Sequence, residues 1–372
     1  MLATAARLIA LFAGLWIVIY TILSAVRTFV LPRAVRVRLT VEVFRFSNKI
    51  LRVWSKLRGL HTFEDREPIQ ALLSPVALLT LPVMWLALIA FGYTLIFWGA
   101  SGHMSWRDAF VLSGSSLMTL GFKFVDELPL IILAFTEAML GMMLIALLIG
   151  YLPTMYSAFS RREAAVNKLE VRAGSPPSAV EMVIRLHSIG VLEDFEEMRS
   201  TWQSWEDWFT ELEESHTTLG PLSFFRSPKP QNSWITTAGT VLDCAALVAS
   251  TVNLPRTAVA GLTIRAGYIA LRSISDFFVI EYDPDPSPDN PISITREEFN
   301  TAYDQMAAAG VPIYDDCDYC WTHFKGWRVN YDTTLLSLAA FIVAPYALWT
   351  SDRQPVDYRQ RETLPITETV LS

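Results

Sequence analysis

An all-α membrane protein with a polar helical domain behind it is predicted by three observations. Three apolar runs within residues 1–152 are each long enough to cross a hydrocarbon core, which takes about 20 helical residues. Between the second and third lies a shorter helical stretch, 105–118, that cannot cross by itself. The chain is 52% hydrophobic with a mean hydropathy of +0.32, above the roughly 45–50% apolar content of soluble domains, yet it turns polar from Arg161 onward.

The first run, Leu8 to Val30 within an N-terminal segment 1–31, is broken by little except Arg27. It exceeds the usual h-region of a signal peptide and lacks a small-x-small site before the basic loop, so it reads as a retained span. Residues 32–70 follow with Arg33, Arg36, Arg38, Arg45, Lys49, Arg52, Lys56 and Arg58. By the positive-inside rule this loop is cytoplasmic and the N-terminus outside. Val41, Phe44, Ile50, Leu51, Trp54 and Leu57 recur among those charges at mostly three- and four-residue spacing. That pattern fits a helix lying against anionic lipid headgroups, or equally a basic loop that only fixes topology.

Residues 71–98 form the second predicted span, which Pro75 and Pro82 should kink. The third is 129–152, closing with Pro153 and with Ser160-Arg161-Arg162, which return the chain to the cytoplasm. The expected topology is three spans in the plasma (inner) membrane, N-terminus outside and C-terminal domain inside. In the stretch between spans, Ser105 can cap a helix and Asp108 places a carboxylate in its first turn, where the helix dipole favours negative charge. Its far end meets Thr119-Leu120-Gly121-Phe122, an order suited to a loop whose carbonyls replace an ion's hydration shell.

Ser116-Leu117-Met118-Thr119-Leu120-Gly121-Phe122 resembles the Thr-x-x-Thr-Val-Gly-Tyr/Phe filter of the potassium-channel superfamily. The surrounding segment, 71–156, is similar to the pore module of its bacterial two-transmembrane type: outer helix 71–98, pore helix 105–118, filter-like loop 119–123 and inner helix 129–152. The resemblance implies a homotetramer conducting monovalent cations, potassium among them, past the carbonyls of Thr119, Leu120, Gly121 and Phe122, with no cofactor. The family's second filter glycine is Lys123 here and the following Asp is Phe124, which leaves ion preference open. Lys123 would sit at the outer mouth, where Asp126 and Glu127 are close enough in sequence to pair with it. In the inner helix, Glu137 would lie behind the filter or on the cavity wall, with a helix-end position as the alternative. Gly141 would serve as a gating hinge or as a small residue for close helix packing. A non-conducting membrane scaffold or sensor with a channel-derived membrane domain is the competing reading.

Residues 157–353 read as a mainly helical cytosolic domain, followed by a tail, 354–372. Helix is expected over Ala179 to Glu214 with a break at Gly190, and Trp202, Trp205 and Trp208 are among its core positions. Ile235 to Val252 and Ala258 to Leu271 form a packed hairpin rather than spans, because Asp243 and Arg265 lie near their middles. Leu335 to Trp349 is too short to span and contains Pro345, so it should be a buried or interfacial helix. Thr295-Arg296-Glu297-Glu298 is a capping box. Asp283 to Asp289 alternates oxygen ligands as a calcium loop does, but Pro288 stands where such a loop needs Gly and Ile294 where it needs Glu, so it reads as linker. Cys317, Cys320 and His323 offer three zinc ligands where a structural site needs four. With Cys244 these are the three cysteines of the chain, too few for a disulfide framework. The basic residues cluster beside the spans, not on a separate basic domain, which argues against nucleic acid. No arrangement of nucleophile, acid and base points to an enzyme.

Overall fold

A computed structural model describes residues 2–29, 73–254 and 258–353. The expectations for the basic loop 32–70 and the tail 354–372 lie outside the described residues. Among the described residues every regular element is a helix, and one isolated bridge pairs Val252 with Ile313. Among the described residues four helices are long and apolar enough to cross a membrane, as befits a multi-pass membrane protein: α1 (Leu2–Phe29), α2 (Leu73–Ala100), α4 (Leu128–Ala173) and α7 (Trp234–Thr251). The chain divides into two compact units, Met1–Ser157 and Ala158–Ser372.

In the first unit α1 and α2 lie side by side and antiparallel. Glycine at Gly14 and Gly92 sets their separation: a Cβ on Gly14 would come 2.5 Å from the Gly92 carbonyl, and one on Gly92 would come 2.7 Å from Val18. Backbones approach this closely only where side chains are absent. At one end of the pair Arg7 donates to the carbonyls of Trp98 and Ser101 at the C-terminus of α2 and stacks over the Trp98 ring, a cation placed where the helix dipole favours it. Further along, Trp85 Nε1 donates to Ser24 Oγ at 3.2 Å. The short helix α3 (Trp106–Leu117) packs on α2, with Trp106 set edge-on to Phe91 and Trp98.

The third long helix departs from expectation. Instead of ending near residue 152, α4 runs for 46 residues to Ala173 with Pro153 inside it. An interior proline removes its own N–H from the ladder and crowds the carbonyl four residues back, but from Ser157 to Arg172 the chain has neither Pro nor Gly to stop a helix.

The second unit is built around α7, on which α5 (Ala179–Ser188), α8 (Ala258–Phe278), α10 (Cys317–Arg328) and α11 (Asp332–Phe341) pack. Although α7 is apolar enough to span, 94% of it is buried inside the unit. Asp243 in its middle is fully enclosed and accepts from Arg328 Nη1 at 2.6 Å and from Tyr331 at 2.8 Å, so the charge that argued against a span is neutralised by protein. Asp332 also accepts from Arg328 at 2.6 Å. Burial opposes the charge on Arg328, but Asp243 and Asp332 together outweigh it and hold the guanidinium above its ordinary pKa. Arg265 of α8 is exposed.

The predicted helix over Ala179 to Glu214 is two helices. Gly190 has φ 78° and breaks it, and Asp194 caps α6 (Phe195–Thr218) by accepting from the amides of Glu196 and Glu197. Trp202, Trp205 and Trp208 of α6 are buried. Arg162 is 3% exposed and donates to the Leu222 carbonyl of the turn Gly220–Phe224 and to the carbonyl of Phe225, which ends it. The capping box Thr295/Glu298 opens α9 (Arg296–Ala308). The run from Leu335 to Trp349 is helical only to Phe341 and continues as turns.

Candidate functional site

The site is the turn that follows α3. Ser105 caps the helix: its hydroxyl accepts from the Asp108 amide at 3.1 Å and donates to Asp108 Oδ2 at 2.7 Å. Ala109, Leu112, Ser113, Ser115 and Leu117 form the buried face. After Leu117 the backbone twists. Thr119 has φ 53° and Gly121 has φ 71°, both left-handed, and the chain folds back over the last turn of α3.

Ser115 gathers that loop. Its carbonyl accepts from the amides of Leu120 at 2.8 Å and Gly121 at 3.4 Å. Its hydroxyl oxygen accepts from those of Phe122 at 3.1 Å and Lys123 at 3.3 Å. Thr119 N donates to the Ser116 carbonyl at 3.0 Å. Five consecutive amides therefore point back at α3. Among the described residues no hydrogen bond is donated to the carbonyls of Thr119, Leu120, Gly121 or Phe122, and these residues are exposed. Being exposed, these carbonyls are open to accept from solvent or from a cation.

The partner of Lys123 is not Asp126 or Glu127. Its ammonium lies 2.8 Å from Asp108 Oδ1, in the first turn of α3, while Glu127 faces His103 at 3.6 Å. The geometric reason is the fold-back, which returns Lys123 to the start of the helix it has just left. Hydrogen bonds from Lys123 and then Ser105 hold the Asp108 carboxyl below its ordinary pKa. Nor is Lys123 among the positive-φ residues, so it carries none of the strain that a lysine in place of a glycine suggests.

Glu137 lies inside α4 and is fully buried. Its Oε1 is 2.5 Å from the Ser113 hydroxyl, and that hydroxyl is 2.9 Å from the Ala90 carbonyl of α2. One turn away, Tyr93 of α2 and Thr136 of α4 are joined at 3.1 Å. The carboxyl thus sits where α2, α3 and α4 meet, behind the loop and not on an open wall. At Gly141 a Cβ would run into the Leu117 carbonyl, so this glycine seats the C-terminal end of α3 against α4. The helix passes through Gly141 unbroken.

The three candidate zinc ligands do not converge. Cys317 faces Arg296 and Asn300, Cys320 is buried in the core, and His323 packs on Tyr319. Among the described residues no group of three or more His, Cys, Asp or Glu is placed to hold a metal. In the Asp283–Asp289 linker, Asp283 and Ser287 side chains accept from the amides two residues on, as in ordinary turns.

Sequence reasoning named Thr119 to Lys123, Glu137 and Gly141 but missed Ser113, Ser115 and the role of Asp108 toward Lys123. The available signal was polarity out of place: two serines on the buried face of a short apolar helix must spend their hydroxyls on something. Comparison of the chain with protein-family models, curated proteins and solved structures finds no match.

Proposed function

We propose that the chain is one subunit of a passive channel for monovalent cations, potassium included, in which copies of the 119–122 loop ring a common axis. The observation that carries this reading is the orientation of the loop, its amides turned back to Ser115 and Ser116 and its exposed carbonyls without a donor among the described residues. Replacing a hydration shell takes several such oxygens converging on one ion. One chain supplies a single loop, and that loop is exposed, so a closed ring requires further copies; the resemblance to potassium channels puts their number at four. Polar backbone of this kind is tolerated at membrane depth only when it lines a cavity or is covered by protein. The tie between Lys123 and Asp108 supports the same reading. A free unit positive charge about 6 Å from a permeating cation would repel it by roughly 3 kcal/mol at an effective dielectric of about 20, and a carboxylate at 2.8 Å cancels most of that.

The test is flux of potassium and sodium into sealed liposomes holding the purified protein, at low ionic strength so that screening is weak. Cation flux above that of empty liposomes is expected, and Asp108→Asn, which frees the Lys123 charge, lowers it by about tenfold to a hundredfold. A protein that passes neither ion under any gradient is not a channel, and the scaffold reading then replaces this one.

A further inference from the structure

We infer that Ser115 is the positioning residue of the loop, and that its side-chain oxygen, by holding the Phe122 and Lys123 amides, sets the aim of the Gly121 and Phe122 carbonyls and with it the discrimination between cations. The inference rests on the channel reading and adds the residue that controls selectivity. Ser115 is 2% exposed on the buried face of α3. Four amides, those of Leu120, Gly121, Phe122 and Lys123, end on its two oxygens. The two oxygens divide the loop. The carbonyl belongs to the helix backbone and remains whatever side chain stands there, so it holds Leu120 and Gly121 in any variant. The hydroxyl alone holds Phe122 and Lys123. In an extended or turning backbone each amide is rigidly coupled to the carbonyl of the residue before it through the planar peptide. Turning the Phe122 and Lys123 amides toward Ser115 Oγ therefore turns the Gly121 and Phe122 carbonyls away from it. The first half of the loop is anchored by main chain, the second half by one hydroxyl.

The experiment uses the full-length protein with Ser115→Ala and Ser115→Thr, reading hydrogen exchange at single amides alongside potassium and sodium flux in liposomes. In Ser115→Ala, exchange at the Phe122 and Lys123 amides should rise by about tenfold while Leu120 and Gly121 stay as they were, since only the hydroxyl bonds are lost. The ratio of potassium to sodium flux should shift by about fivefold or more at unchanged expression. Ser115→Thr keeps the hydroxyl and should restore both readouts, a pattern that a general loss of packing would not produce. Unchanged exchange at Phe122 and Lys123 in the alanine variant overturns the anchoring role. Raised exchange with an unaltered flux ratio overturns the link to selectivity. If the exchange pattern appears but the unmodified protein conducts neither ion, the anchoring stands and the channel reading is what has failed.

Discussion

Ser113 has one hydroxyl proton and two acceptors within reach, Glu137 Oε1 at 2.5 Å and the Ala90 carbonyl at 2.9 Å. A carbonyl can only accept, so full satisfaction needs a donor on the Glu137 side that reaches Ser113 Oγ while the serine proton goes to Ala90. Glutamine supplies such a donor at nearly the same size. Glu137→Gln should accordingly keep the stability of the membrane unit to within about 1 kcal/mol, whereas Glu137→Ala should cost about 1–3 kcal/mol by removing the hydrogen bond to Ser113 and leaving a void among the helices. Denaturation of the protein in mixed detergent micelles measures both. Equal losses for the two variants would mean that the side chain acts by volume alone. What the sequence discloses at this scale is the presence of an ionisable group in an apolar run. It does not disclose the partner, because Ser113 lies 24 residues earlier and meets Glu137 only once α2, α3 and α4 are packed. The assignment of Asp126 and Glu127 to Lys123 fails for a related reason. Nearness in sequence stood in for nearness in space, and a backbone with two left-handed residues in three positions brings Asp108 closer.

At the scale of elements, the contact between α1 and α2 is decided by the glycines that let their backbones touch. Gly14→Ala places a methyl 2.5 Å from the Gly92 carbonyl and 2.9 Å from Ile96, and neither main chain nor packed side chain can move aside without separating the helices. A loss of about 1–3 kcal/mol is expected, the usual cost of overpacking. Denaturation of the variant in the same micelles reads it, and a wild-type midpoint would show that the helices are not pressed together. The helices themselves were legible as long apolar runs, and the caps at Ser105 and Thr295 as residue patterns with a direct physical meaning. Less was legible where one signal had to be weighed against its neighbours. Pro153 reads as a stop, yet the residues after it continue the helix. Residues 234–251 read as buried because of Asp243, and the network with Arg328 and Tyr331 is what permits that carboxylate in a core. Breaks at single glycines, as at Gly190, were visible, but the end of α11 at Phe341 was hidden inside an unbroken apolar stretch.

For the whole molecule the proposed ring predicts its own stoichiometry. Cross-linking in mild detergent should give a ladder that ends at four subunits, and a protein that stays monomeric or dimeric would leave the 119–122 carbonyls with no ring to join. The loop's conformation, however, does not wait for that assembly. Every amide from Thr119 to Lys123 is satisfied by an oxygen of the same chain, so in the proposed ring each subunit would bring a loop already folded and would lose less ordering entropy on docking. Fault in the loop is then a private property of the copy that carries it. In a mixed population of normal and Ser115→Ala chains, each altered copy misaims only its own oxygens, and the ion preference of the ensemble should drift in proportion to gene dosage, without the all-or-none dominance that a shared, mutually templated filter would impose.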